Sequence, residues 1–171
     1  MPYVECSIDV AAPAATVYEL AKEQDRFPEF MPDVETVVVL ERHADHVVTR
    51  WKTLVEDAPI EWTENDRFDD ERLRIDYALI EGDLDTFEGA WTFERVGEMT
   101  RVVLSVEYDF GVPTLAELIG PTLQKKVREN SEMMLAALKA EAESRVPKAA
   151  SAVTLSLSKG DMRVETNSEA G

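Results

Sequence analysis

Four consecutive runs with strand-like alternation constrain the fold of this chain more than any other feature. They span residues 60–68, 73–80, 86–96 and 101–110, and short turns join them. In each run apolar and polar residues alternate, which is the period of a sheet with one wet face and one dry face. The sequence therefore predicts an antiparallel sheet whose dry face another element has to cover.

A long helix that begins near Thr114 is the only large element left to cover this dry face. We therefore predict an α+β fold in which a curved antiparallel sheet of six to seven strands grips a C-terminal helix at about residues 115–144. Such a sheet encloses a cavity more readily than a solid core, although a solid core of the same residues is the alternative. The predicted dry face collects Leu73, Ile75, Tyr77, Leu79, Phe87, Gly89, Trp91, Phe93, Val102, Leu104, Val106, Tyr108 and Phe110.

The segment before these runs predicts a first strand, two short helices and a hairpin. Pro13 can open the first helix at its first turn. The second helix covers residues 25–32, and Pro32 ends it. Residues 35–42 and 47–56 then pair as a hairpin.

Cysteine content and hydropathy indicate the compartment. Cys6 is the only cysteine among the 171 residues, and it shares one face of the first strand with Val4, Ile8 and Val10. We interpret it as a small core residue and not as a reactive thiol. No run approaches the roughly 18 apolar residues of a membrane span, and the N-terminus lacks the pattern of a secretory signal. We therefore expect a cytoplasmic protein without an internal disulfide.

The strongly acidic composition disfavours two classes of partner. The formal net charge is -17, and it is densest between residues 56 and 88, where thirteen acids face three arginines. Such a surface repels phosphate backbones and anionic headgroups, so we expect neither nucleic acid binding nor stable membrane insertion. We interpret the acids as the solvated face of the sheet. A homodimer is left open.

Beyond residue 146 the composition turns to Ala, Ser, Thr and Gly without a sustained pattern. We predict one ligand-binding domain over residues 1–146 and a flexible tail over residues 147–171.

No specific catalytic or metal motif occurs in the sequence. It has no phosphate-binding glycine loop, nucleophile elbow or zinc signature, so we expect neither a cofactor nor a metal. The acids Asp69, Asp70, Asp83 and Asp85 fall at strand ends, where turn chemistry and solvation explain them. A catalytic carboxylate pair would require burial, which nothing in the sequence indicates.

The long helix has a polar centre in its apolar stripe. Leu123, Val127, Met134 and Leu138 are spaced for one face, and the residues between them include Asn130 and Ser131. A polar group that faces an apolar sheet needs a partner. Asn130 either anchors a ligand in a cavity or bonds to backbone or water at the edge of the helix.

Four segments of the chain resemble the START/polyketide cyclase superfamily, which has the helix-grip fold and is also called SRPBCC. They are residues 8–20, residues 27–34, Glu81-Gly82 with residues 89–93, and residues 120–131. Together they cover about residues 3–145. This resemblance implies the predicted fold, but it implies less about activity, because related scaffolds host different functions.

Three branches of the superfamily are relevant: polyketide aromatase/cyclases, coenzyme Q-binding proteins, and carriers of hydrophobic metabolites and lipids. Gly120-Pro121 and residues 108–110 resemble the quinone-binding branch. The segment from Trp62, the spacing from Gly82 to Trp91 and the helix around Asn130 resemble the cyclases. The resemblance implies that Trp62, Trp91 and Asn130 line a cavity.

Two departures weaken the cyclase interpretation. Those cyclases carry an arginine at the positions that match Asp66 and Ala78, and Arg67 is one residue out of phase with the first of these. A guanidinium in the cavity can polarise carbonyls, as aldol cyclisation requires. We therefore favour binding of a hydrophobic small molecule (a polyketide, an isoprenoid quinone or a lipid-like compound) over aromatase/cyclase or dehydratase activity.

The predicted cavity lies between the sheet and the helix. Its mouth is predicted near Phe27, Phe30 and Met31, with Phe30 as part of a mobile apolar lid. The predicted ligand-binding residues are Trp62, Tyr77, Phe87, Trp91, Tyr108, Asn130, Met134 and Phe30.

Overall fold

The computed structural model describes residues 2–55, 58–111 and 113–146. The predicted tail of residues 147–171 lies outside the described residues. The helical elements are α1 (Ala14–Lys22), a short 3-10 helix (Gln24–Glu29) and the long α2 (Pro113–Ser144). The strands are β1 (Tyr3–Val10), β2 (Val34–Arg42), β3 (His46–Val55), β4 (Ala58–Asp69), β5 (Arg74–Gly82), β6 (Thr86–Val96) and β7 (Met99–Asp109).

All seven strands form one antiparallel sheet in the order β1-β7-β6-β5-β4-β3-β2. From β2 to β7 each strand pairs with the next in sequence, as expected where short turns join neighbouring strands. β1 closes the order by pairing with β7. This architecture confirms the predicted fold, including the two short helices between β1 and β2. The second of them is a 3-10 helix that ends at Glu29, before the predicted end at Pro32.

The inner face of the sheet carries the apolar parity that the sequence predicted. The side chains of Ile75, Tyr77, Trp91 and Phe93 are buried there, and so is every second residue of β7 from Val102 onward. In β1 the buried positions are Val4, Cys6 and Val10, so Cys6 is a core residue as predicted. The core therefore lies between this face and the helices.

The C-terminal half of α2 holds the helix against β1. Leu135 and Leu138 are fully buried. Lys139 Nζ donates to the carbonyl oxygen of Asp9 at 2.7 Å and pairs with Glu143 at 2.7 Å. Glu143 in turn accepts the backbone N–H of Ala11 at 2.8 Å. These contacts fix the C-terminal half of α2 against β1.

Within the described ranges, no helix has both the length and the apolar character needed to cross a membrane.

Candidate functional site

A cavity of about 280 Å³ lies between the inner face of the sheet and the middle of α2. This volume is close to the lower end of small-molecule sites, roughly 300–1,000 Å³. Its sheet side is lined by Trp51, Thr53, Ile60, Trp62, Glu64, Tyr77, Leu84, Phe87, Trp91, Leu104, Val106, Tyr108 and Phe110. Its helix side is lined by Leu123, Lys126, Val127, Asn130, Ser131 and Met134. The walls are mostly aromatic and aliphatic, as in sites for hydrophobic ligands.

Seven of the eight residues predicted for the site line this cavity. They are Trp62, Tyr77, Phe87, Trp91, Tyr108, Asn130 and Met134. Asn130 and the neighbouring Ser131 are the polar residues of α2 that interrupt its apolar stripe, and both face the sheet side of the helix as predicted. The structure thus brings these residues together around one void.

Phe30 does not line the cavity, contrary to the prediction. It follows the 3-10 helix and packs edge-to-face on Phe27, with 5.8 Å between the ring centroids. Phe27 itself is fully buried and packs in the same way on Trp51, also at 5.8 Å. Met31 is 1% exposed. Of the residues predicted as a mobile lid, Phe27 and Met31 are therefore buried in the core, and Phe30 is half-buried and packs against it.

Two tryptophans on adjacent strands form the flattest part of the wall. Trp51 on β3 pairs with Trp62 on β4 in the strand register, and their rings stack at 5.6 Å with an angle of 9°. Gly82 on β5 lies opposite Trp62, and a Cβ at Gly82 would come within 2.5 Å of the Cα and Cβ of Trp62. Gly82 is therefore the residue that lets β5 approach the tryptophan wall.

Tyr77 crosses a neighbouring strand to reach its partner. Its hydroxyl donates to the carbonyl oxygen of Ser105 on β7 at 2.6 Å, although β6 lies between the two strands. The tyrosine passes over Gly89 of β6, and a Cβ there would meet both the hydroxyl and the Ser105 carbonyl. Gly89 thus makes room for a hydrogen bond that fixes Tyr77 in the cavity wall.

Two carboxyl groups are buried on the same inner face of β4. Glu64 is 3% exposed and lines the cavity, and Asp66 is fully buried next to it. Trp62 Nε1 donates to Glu64 Oε1 at 2.6 Å. Gln24 Nε2 donates to Asp66 Oδ2 at 2.8 Å, and the hydroxyl of Thr49 lies 3.5 Å from Asp66 Oδ1. Each of these donors is uncharged.

Burial raises the pKa of the Glu64 carboxyl well above its usual range, and the charge of Asp66 raises it further. Burial also raises the pKa of Asp66, while its hydrogen bonds act in the opposite direction. The pKa of Tyr77 is raised by burial and then by the nearby Glu64 and Asp66, so its hydroxyl stays a donor. The site therefore contains a carboxyl pair that resists full ionisation.

The buried pair corrects two predictions from the sequence. Glu64 and Asp66 belong to the acids that were interpreted as the solvated face of the sheet, and no buried carboxyl pair was expected. The inward parity of Trp62 was the available indication, because residues two and four positions further along a strand share its face. Trp51 was also missed, although it lies directly opposite Trp62 once the β3–β4 register is known.

The structure also locates the two positions where the resemblance implied arginine. Asp66 occupies an inner position of β4, whereas Ala78 is exposed on β5. Arg67 is exposed, as its parity predicted. Among the described residues that line the cavity, none is an arginine. Of the buried acidic pair, Asp66 therefore stands at a position where the resemblance implied an arginine.

Tyr108 presents a third polar group. It is 2% exposed and lines the cavity, and burial raises the pKa of its hydroxyl. Within the described part of the chain, this hydroxyl has no hydrogen-bond partner. A buried hydroxyl without a partner is uncommon in folded proteins and is a candidate contact for a bound molecule.

Comparisons with known proteins agree with this architecture. Residues 10–135 match the family described as polyketide cyclase/dehydrase and lipid transport. A protein structure from Thermus thermophilus is 32% identical, with a TM-score of 0.82 over 85% of this chain and 100% of its own. The Zhui aromatase/cyclase from a Streptomyces strain is 26% identical, with a TM-score of 0.79 over 86% of this chain and 97% of its own.

A START superfamily protein from Mycobacterium smegmatis shares the fold at 21% identity, with a TM-score of 0.67 over 83% of this chain and 97% of its own. A sequence comparison with curated proteins gives no match. The family match covers most of the chain, so the chain belongs to the polyketide cyclase/dehydrase and lipid transport family, within the START/polyketide cyclase superfamily.

Proposed function

We propose that this member of the polyketide cyclase/dehydrase and lipid transport family binds a ring-containing hydrophobic molecule in the cavity between the sheet and α2. The ligand class is a polyketide, an isoprenoid quinone or a lipid-like compound. The observation that carries the proposal is the void itself, because the same inner-face residues would otherwise meet α2 in a solid core. A preformed apolar cavity with a few polar groups is the usual form of such a site.

The geometry of the walls supports a flat ligand. The stacked rings of Trp51 and Trp62 present a planar surface on one side, and Trp91 and Phe87 extend it along the sheet. Aromatic rings placed in this way contribute both apolar contact area and ring stacking. On the opposite side Asn130 of α2 lines the cavity, and its amide can donate to an oxygen of the ligand.

Aromatase/cyclase or dehydratase activity on an aromatic polyketide precursor is the second candidate. It is favoured by the likeness to the Zhui aromatase/cyclase over nearly the full length of both domains. It is disfavoured by the residues at positions 66 and 78, where Asp66 and Ala78 supply no positive charge. No guanidinium at these two positions is available to stabilise an enolate, so binding is the function that we put first.

The test is extraction of the protein with organic solvent after purification from its native host, followed by mass spectrometry. We expect one compound of the proposed class in near-stoichiometric amount. A Val127→Trp variant fills the cavity from α2 and should lose the compound, whereas Gln124→Trp, on the exposed side of the same helix, should retain it. An extract without any retained compound, or equal retention by both variants, would argue against binding in this cavity.

A further inference from the structure

The polar groups of the cavity wall are unusual for a site that holds a hydrophobic molecule. Glu64 is 3% exposed and faces the void, and Asp66 is fully buried two residues further along β4. Their hydrogen-bond donors Trp62, Gln24 and Thr49 are all neutral. Two ionised carboxyls at this depth would repel each other, and the donors named above carry no charge to offset that repulsion, which is unfavourable. A carboxyl pair in this situation retains a proton.

The hydrogen bonds indicate where that proton resides. Asp66 accepts from Gln24 at 2.8 Å and lies 3.5 Å from the hydroxyl of Thr49, so its carboxylate form has two donors. Glu64 accepts from Trp62, hydrogen-bonds to Asp66 and borders the cavity. Because hydrogen bonds to the charged form favour ionisation, Asp66 is the better carboxylate and Glu64 the better acid.

A second and independent feature points to a ligand oxygen in the same void. The hydroxyl of Tyr108 is buried on a side chain that lines the cavity, and among the described residues it has no partner. A protonated Glu64 and a tyrosine hydroxyl are both donors. Two such donors in a cavity with mostly apolar walls are complementary to an uncharged molecule that carries acceptor oxygens.

We propose that Glu64 and Asp66 hold one proton between them and that, when the ring molecule binds, the O–H of Glu64 exchanges its hydrogen bond to Asp66 for one to an uncharged carbonyl oxygen of that molecule. Asp66 remains the carboxylate and keeps its hydrogen bonds from Gln24 and Thr49. Asp66 is a positioning residue that keeps the proton on Glu64. The cavity is therefore selective for ketones and quinones over ligands with a carboxylate. This inference rests on the proposed function and adds the chemical class of the ligand at that site.

The groups around Glu64 determine how this binding depends on pH. Asp66 lies beside it on β4, and Tyr77 on β5 is close enough to be affected by the charge of both carboxyls. Tyr108 of β7 and Lys126 of α2 line the same cavity. The elements on the other side contribute the uncharged Gln24, Thr49 and Trp51. When rising pH removes the proton from Glu64, the donor is replaced by a negative charge beside Asp66. The affinity for a carbonyl ligand then falls.

Three matched probes test this selectivity by isothermal titration calorimetry: fluorenone, its hydrocarbon fluorene, and fluorenone carboxylate. Fluorenone should bind the wild-type protein more weakly as the pH rises and Glu64 loses its proton. Relative to fluorene, the ketone should lose about two- to tenfold in affinity in Glu64→Leu, the effect of one hydrogen bond. Glu64→Gln keeps a donor that does not titrate, so it should bind fluorenone without this pH dependence. Glu61→Gln, at an exposed position of the same strand, should behave as wild type.

A spectroscopic measurement on the wild-type protein makes the test independent of the variants. The infrared carbonyl band of bound, isotope-labelled fluorenone should lie below its position in an apolar solvent while Glu64 is protonated. It should move back toward that position as the pH rises and Glu64 ionises. A band at the apolar-solvent position under both conditions would overturn the inference. So would fluorenone carboxylate that binds as tightly as fluorenone, which would mean that Lys126 sets the preference.

The outcomes also separate this inference from the proposed function. If fluorene and fluorenone bind equally well and the carbonyl band does not shift, the cavity takes ring molecules but Glu64 is not the donor. If none of the three probes binds, the proposed function and the inference are both contradicted. A band shift that disappears in Glu64→Leu and persists in Glu64→Gln supports both.

Discussion

The indole N–H of Trp62 donates to the carboxyl of Glu64 at 2.6 Å, and the two side chains lie two residues apart on the same face of β4. The ring that forms the flattest part of the cavity wall therefore also orients the carboxyl that faces the cavity. Because Trp62 and Glu64 are hydrogen-bonded to each other, a change that displaces Trp62 also displaces Glu64.

Gly82→Ala should displace the hydrogen-bonded pair of Trp62 and Glu64. The new Cβ would come within 2.5 Å of Trp62, at a φ of 147° that L residues rarely adopt. Gly97→Ala is the matched control, because Gly97 has a φ of 63° but open space around it. We expect Gly97→Ala to lose about 1–2 kcal/mol of unfolding free energy and Gly82→Ala to lose more. Only Gly82→Ala should change tryptophan fluorescence, and equal effects in the two variants would refute the close-approach argument.

Tyr77→Phe and Tyr108→Phe should affect stability differently. The Tyr77 hydroxyl donates to the Ser105 carbonyl at 2.6 Å, so its removal should lower the free energy of unfolding by about 0.5–1.5 kcal/mol. The buried Tyr108 hydroxyl has no described partner, so its removal should leave stability unchanged or slightly higher. Chemical unfolding of both variants measures this difference. A loss in Tyr108→Phe as large as in Tyr77→Phe would show that the hydroxyl is already satisfied.

Glu64→Gln should change how stability depends on pH. Below the usual pKa of 4.5 the carboxyl is protonated in both the folded and the unfolded chain. As pH rises above that value, the unfolded chain releases the proton while the folded chain holds it, so the wild type loses stability until the raised pKa is passed. The free energy of unfolding of the variant should rise relative to that of the wild type by up to about 1.4 kcal/mol per pH unit in that window.

Denaturant unfolding from about pH 4 to about pH 8 measures this difference. Asp9 and Asp70 have lowered pKa values and therefore lose stabilisation as pH falls, but they do so in both proteins and cancel in the comparison. Glu61→Gln serves again as the exposed control. A stability difference between Glu64→Gln and wild type that stays constant with pH would mean that Glu64 ionises normally.

Asn130→Leu tests the polar centre of α2. If the amide of Asn130 donates to a ligand oxygen, the variant should bind fluorenone up to about tenfold more weakly, the value of one neutral hydrogen bond. The stability of the fold should hold or rise, because a polar group is removed from an apolar face. Titration and thermal unfolding of the same variant separate the cases. Lost stability with unchanged affinity would make Asn130 a structural residue.

Much of this fold could be predicted from local pattern, and β4 shows where the pattern stops. In β5 to β7 apolar residues occupy one parity and polar residues the other, so hydropathy alone identified the inner face. In β4 both parities carry polar residues, because Glu64 and Asp66 alternate with Thr63 and Asn65. The parity of Trp62 was an indication in the sequence, and the pairing of β4 with Trp51 and Tyr77 on its neighbours establishes which acids point inward.

Phe30 shows a second limit of sequence analysis. Its segment is apolar and lies between α1 and β2, which suited a mobile lid. Whether such a residue faces a cavity or packs on its neighbours depends on contacts that are distant in sequence. Here the ring of Phe27 fills the space against Trp51, and Phe30 packs behind it.

The central claim is that the cavity takes an uncharged ring molecule, and intrinsic fluorescence tests it most directly. The chain has three tryptophans, and all of them, Trp51, Trp62 and Trp91, line the cavity. Titration with fluorenone should therefore give a saturable change in tryptophan emission at one molecule per chain. Val127→Trp should abolish this change. Gln124→Trp is the control for the emission of the added indole. A linear, unsaturable change that is the same in wild type and Val127→Trp would contradict the account.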